Sequence, residues 1–172
     1  MIFLLSTVYC QLSTANSPLP TVNCQLCTVN RKWSTEINRA AYYKAMEEND
    51  KVLVNAQLLE LESAPPALRK AFAGAMYMKK AALVSVPANK LKLFRQGQRM
   101  LEIAIRQNPG NAEFRFLRLI VQEHAPTVLH YNNDIQKDRD FIETSYKSLP
   151  EEVQHIIAEY NKKSKYLKPG VS

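Results

Sequence analysis

The residues whose types and spacing could support chemistry are few. Cys24-Gln25-Leu26-Cys27 has the C-x-x-C spacing of redox and zinc sites, and Cys10 is the third cysteine. A redox pair needs a strand-to-helix setting that depresses its thiol pKa, and zinc needs two further ligands. The neighbouring residues offer neither, so the three cysteines read as incidental. The histidines are His124, His130 and His155, none placed four residues from another as helical metal ligands would be. Glu123 beside His124 is the one candidate acid–base pair, but adjacent residues on a helix do not face each other. No nucleophile or oxyanion donor accompanies it. Gly74, Gly97, Gly110 and Gly170 are isolated, so no phosphate-binding loop forms. The expectation is a non-enzymatic protein with no catalytic residues, no metal and no cofactor.

Charge gives the better candidate site. Lys92, Arg95, Arg99 and Arg106 recur at helical spacing and would share one face. Such a row suits an acidic peptide or a free carboxylate. The bland alternative is a solvated face in which Glu102 pairs with Arg106 four residues on. Phe114, Arg115, Phe116 and Arg118 invite a nucleic-acid reading by stacking and phosphate contact, yet Phe116 falls with Leu117 and Ile120 on the side expected to be core. Lys162, Lys163, Lys165 and Lys168 form a basic tail. With a net charge of +7, the expected partner is another protein or an acidic peptide. The alternative is a basic module that binds nucleic acid or an anionic envelope surface.

These residues need elements to position them, and the apolar pattern supplies helices. β-branched residues form no sustained alternating run after Trp33, while Ala, Leu, Lys and Glu recur. Ser34 is a candidate N-cap for a first helix from Thr35 to Glu48, and Asp50 for a second carrying Leu53, Val54, Leu58, Leu59 and Leu61. Pro65-Pro66 opens a third helix to Leu83 with Leu68, Phe72, Ala75 and Met76 on one side. Its Ala71, Ala73, Gly74 and Ala75 have so little bulk that a neighbouring helix can approach, which predicts a central position. Beyond Pro87, a fourth helix from Asn89 to Gln107 places Leu93, Phe94, Gly97, Met100, Leu101, Ala104 and Ile105 on one face. Asn108-Pro109-Gly110 turns the chain, and Asn111 caps a fifth helix through His124 that meets the fourth as in an αα-hairpin. Thr127 to Asn133 reads as a loop with a short turn of helix. A sixth helix follows from Asp134 to Tyr146, burying Ile135, Ile142 and Tyr146. Ser148-Leu149-Pro150-Glu151 fits the capping box for a seventh, which buries Val153, Ile156, Ile157 and Tyr160. The fold class is therefore all-α, about seven helices packed as antiparallel hairpins.

Gly97, Leu101, Ala104 and Pro109 also stand at the offsets of the small residue, large apolar residue, alanine and proline in the second helix of a tetratricopeptide repeat. With Asn108-Pro109-Gly110-Asn111-Ala112-Glu113 as the junction, residues 90–124 resemble that family. The half-repeat before it departs from the pattern, with Ala81, Val84, Ser85 and Ala88 where an aromatic, Leu, Gly and another aromatic are usual. The resemblance implies a tetratricopeptide-like fold and protein binding, with no ligand residues carried across.

Residues 1–32 read as a leader and 33–172 as a single helical domain. The first charged side chain is Arg31, and Ile2-Phe3-Leu4-Leu5 opens the leader. An apolar core followed by the small residues Ser13-Thr14-Ala15 has the outline of a signal peptide, although its basic start is absent. The expectation is export, periplasmic or secreted, with a cytoplasmic location as the alternative. No apolar run approaches the ~20 residues that span a bilayer, so no transmembrane segment is expected.

Overall fold

The computed structural model describes residues 37–167. The leader, its three cysteines, Ser34 and Lys168 lie outside that range. Among the described residues there are seven α-helices and no strand: α1 (Arg39–Glu47), α2 (Lys51–Glu60), α3 (Pro66–Leu83), α4 (Pro87–Gln107), α5 (Ala112–His124), α6 (Ile135–Ser145) and α7 (Glu151–Asn161). The fold class is all-α, with the helices packed against one another.

Local chemistry sets most of the boundaries. Asp50 and Asn111 accept the backbone amides of Val52 and Phe114 at 2.7 and 3.2 Å, as their N-cap positions predict. α1 begins at Arg39, with Asn38 as its cap, taking the Ala41 amide at 3.1 Å. α4 starts earlier than expected, because Pro87 does not precede the helix but opens it, with a fixed φ already suited to the first turn. The capping box before α7 does not form. Leu149, held extended ahead of Pro150, cannot join a helix, so α7 begins at Glu151 and Ser148 instead donates to the Ser145 carbonyl at 2.7 Å. Leu59, expected on the apolar stripe of α2, is 69% exposed. Val54 and Leu61 carry that packing, with Leu53 and Leu58 half-buried. The Thr127–Leu129 turn of 3₁₀ helix ends at His130, whose φ of 48° closes it in the left-handed region.

The deepest contact is between α3 and α4. A Cβ on Gly97 would lie 2.3 Å from the Gly74 carbonyl oxygen, and one on Gly74 would lie 2.8 Å from the Leu101 amide nitrogen. No side chain fits between the two backbones. α3 is accordingly the interior helix, with Ala71, Phe72, Ala73, Ala75, Met76 and Met78 all buried. Across the turn at Pro109, α5 packs chiefly on α6 and α3; the expected hairpin with α4 contributes little. Phe72 meets Tyr42 edge-on at 4.8 Å and Phe114 at 6.5 Å, which joins α1, α3 and α5.

Gly97→Ala should therefore overpack the α3–α4 seam and cost about 1–3 kcal/mol. That corresponds to a melting temperature several degrees lower. Gly110→Ala, with open space around its Cβ, should leave the melt within about 0.5 kcal/mol of the wild type.

Candidate functional site

Approximately one turn beyond the glycine contact, α3 and α4 present side chains to an apolar groove of about 780 Å³. Met78, Lys79 and Ala82 come from α3, and Lys90, Leu91 and Phe94 from α4. α5 adds Phe116, Ile120 and His124, while α1 and α7 close the opposite side with Tyr43, Met46, Ile156 and Tyr160. The remaining wall is the Pro126–Leu129 turn.

That wall is anchored rather than loose. The Tyr131 ring stands edge-on to Phe94 at 5.7 Å, and its hydroxyl donates to Glu102 Oε1 at 2.7 Å. Behind the groove, Phe116 packs against Tyr43 and Tyr160 at 5.7 and 5.5 Å. The Tyr160 hydroxyl donates to Glu123 Oε2 at 2.6 Å, and Ser164 donates to the other oxygen of that carboxylate. Two apolar side chains on the lip face water: Leu91 is 48% exposed and Val128 is 76% exposed.

The groove's margin is basic. Lys79, Lys90, Lys163 and His124 lie on it with one carboxylate, Glu47, which pairs with Lys163. Lys79 donates to Asn49 Oδ1 at 3.1 Å and to the Glu47 carbonyl at 3.4 Å, both neutral oxygens. Burial lowers the pKa of this ammonium, partly countered by the nearby Glu47 charge. His124 Nδ1 lies 2.8 Å from the Ile120 carbonyl, which favours the tautomer protonated there. Glu123 is turned to Tyr160 and Ser164, so the two members of the candidate acid–base pair serve separate neighbours.

Lys92, Arg95, Arg99 and Arg106 are all exposed on α4, and none of them lines the groove. Over fourteen residues the row extends roughly 21 Å. No carboxylate lies within salt-bridge distance of any of the four among the described residues; Arg95 bonds only to Gln98, at 3.0 Å. The expected Glu102–Arg106 pair is absent because Glu102 points the other way, to Arg118 and Tyr131. Sequence reasoning missed the groove itself. The signal for it was Leu91, which falls off the apolar face of α4, together with Val128 in a loop.

The second cluster, Phe114 to Arg118, faces inward. Phe114 and Phe116 are buried, and Arg118 grips Asp138 with both prongs, Nε to Oδ2 at 2.6 Å and Nη2 to Oδ1 at 2.7 Å. Its Nη1 reaches Glu102 at 2.9 Å. Burial alone would lower the Arg118 pKa, but the Asp138 hydrogen bonds and the surrounding carboxylates outweigh it and raise the guanidinium. Arg115 adds a bond to Asp138 at 3.2 Å and lies over the Phe141 ring. The two arginines are therefore engaged in packing α6 onto α5, and the two phenylalanines in packing α5 onto α3, α1 and α7, not free for bases or phosphates.

No cluster of three or more His, Cys, Asp or Glu among the described residues is placed to hold a metal ion, and no described helix is long and apolar enough to cross a membrane. Comparison with known proteins found no matching family model, no similar curated protein and no similar solved structure.

Two outcomes test this electrostatic frame. Arg118→Met leaves the fully buried Asp138 with Arg115 alone and should cost about 3–5 kcal/mol in urea denaturation. Adding Asp138→Leu should recover part of that loss. Burial, with help from Glu113, Glu102 or Glu123, raises the phenols of Tyr42, Tyr43, Tyr131 and Tyr160. A raised folded pKa means that the unfolded chain loses its phenolic protons first. Stability should hold below about pH 10 and fall as the pH rises above it. The phenolate absorbance of these four should appear together with loss of the helical dichroism, not before it.

Proposed function

We propose that this chain is a non-enzymatic binding or scaffold domain that docks a segment of another protein in the groove bounded by α1, α3, α4, α5 and α7. The observation that carries the reading is the groove of about 780 Å³, apolar within and with exposed Leu91 and Val128 on its lip. Contiguous exposed apolar surface with a polar margin is the mark of an interaction site. The tetratricopeptide-like spacing of Gly97, Leu101, Ala104 and Pro109 adds to the reading, since repeats of that kind bind proteins. The uncharged leader with its Ile2-Phe3-Leu4-Leu5 start supports export of the domain.

A second reading, a basic module for nucleic acid or an anionic envelope surface, draws on the exposed row Lys92, Arg95, Arg99 and Arg106. It requires retention on DNA or anionic vesicles that falls steeply with salt.

The two readings separate by site-specific photo-crosslinking in the cell of origin. A photoreactive residue at Leu91 or Val128 should trap a discrete protein adduct. The same residue at Val52, exposed on α2 and outside the groove, should not. Equal trapping at all three positions, or none at the lip, would overturn the docking reading.

A further inference from the structure

We infer that the segment seated in this groove is an amphipathic α-helix with an acidic flank, lying apolar face inward with a carboxylate on Lys79 and another on Lys90. The inference rests on the docking reading above and supplies the chemistry of its partner.

Charge complementarity selects the acidic flank. Among the described residues Glu47 is the one carboxylate that lines the groove, and it is paired with Lys163. Among the described residues Lys79 and Lys90 have no ion pair, and Lys79 is half-buried with neutral oxygens of Asn49 and Glu47 as its acceptors. A cation held partly out of water with no carboxylate in contact is the position at which an incoming carboxylate gains most, because the local dielectric is lower than at an open surface. A basic flank on the partner would instead meet Lys79, Lys90 and Lys163 together. That arrangement rejects wrong partners by repulsion.

Backbone accounting selects the helix. An extended peptide brings unpaired N–H and C=O groups that must be satisfied on binding. Strand addition satisfies them at a sheet edge, and the described residues contain no strand. The groove interior, from Met46, Met78, Phe94 and Ile120, offers chiefly carbon and sulfur, and the hydroxyl of the lining Tyr43 is buried. A helix arrives with its backbone already paired and inserts only side chains, the i, i+3, i+4 and i+7 anchors of groove recognition. Met46 and Met78 are unbranched and can repack around them.

The test uses the full chain and two fluorescent helical probes of about four turns. Both carry leucines at the anchor spacing; one has Glu flanks and the other Lys in place of every Glu. By anisotropy the Glu probe should bind at least about tenfold more tightly than the Lys probe. Lys79→Gln and Lys90→Gln should each erode that preference, and the exposed position of Lys90 keeps its variant foldable. Ala82→Trp, at an exposed lining position, should weaken both probes by filling the mouth. If both probes bind equally and Ala82→Trp weakens both, the groove still docks proteins and the acidic-flank inference fails. If neither binds, the docking reading fails with it. Palmitate binding that Ala82→Trp blocks, with no binding of either probe, would make the occupant a lipid chain and overturn both.

Discussion

The structure depends on the touching of two backbones. Where α3 and α4 cross, the Gly74 and Gly97 main chains are so close that a methyl group on either would collide with the partner helix. Helices joined in this way cannot slide or rotate far without meeting a bulky neighbour such as Met78 or Leu101. The contact makes α3 an inside helix, fixes the faces that α4 shows to the core and to water, and leaves the remaining helices to pack round the pair. The groove takes Met78 and Phe94 from positions one turn beyond the contact on each helix. The backbone beneath its floor is thus placed by the crossing itself.

The distribution of charge follows from the same packing. Several of the acids lie inward or along seams: Glu102 and Asp138 on Arg118, Glu113 on Arg39 through two bonds of 2.7 and 3.1 Å, and Glu123 on Tyr160 and Ser164. Acids held there do not neutralise the outer cations. The face of α4 that carries Lys92 to Arg106, and the groove's margin, are for that reason more positive than a net charge of +7 spread evenly would suggest.

How much of this was legible in the sequence depended on how local the cause was. Asp50, Asn111 and the Pro66 start could be read directly, because a cap or a proline acts within one turn. The small-residue run around Gly74 indicated a central α3, and the wheel of α4 carried Gly97, Leu101 and Ala104 to the interior. The capping box at Ser148 misled because its pattern ignores what Pro150 does to Leu149. The Glu102–Arg106 pair misled for a different reason: spacing along one helix cannot show that a third helix offers Glu102 a better partner in Arg118. The groove was invisible for the same cause, as its lining comes from five helices and a loop far apart in the chain.

Glu102 illustrates how distant parts of this molecule are joined. One of its oxygens takes Arg118, deep between α5 and α6, and the other takes Tyr131, whose ring braces the turn that forms one wall of the groove. A single carboxylate is thus shared between an internal electrostatic lock and the mouth of a surface cleft. The width of that cleft is inherited from charges that do not line it, and any adjustment to the lock would be felt at the doorway.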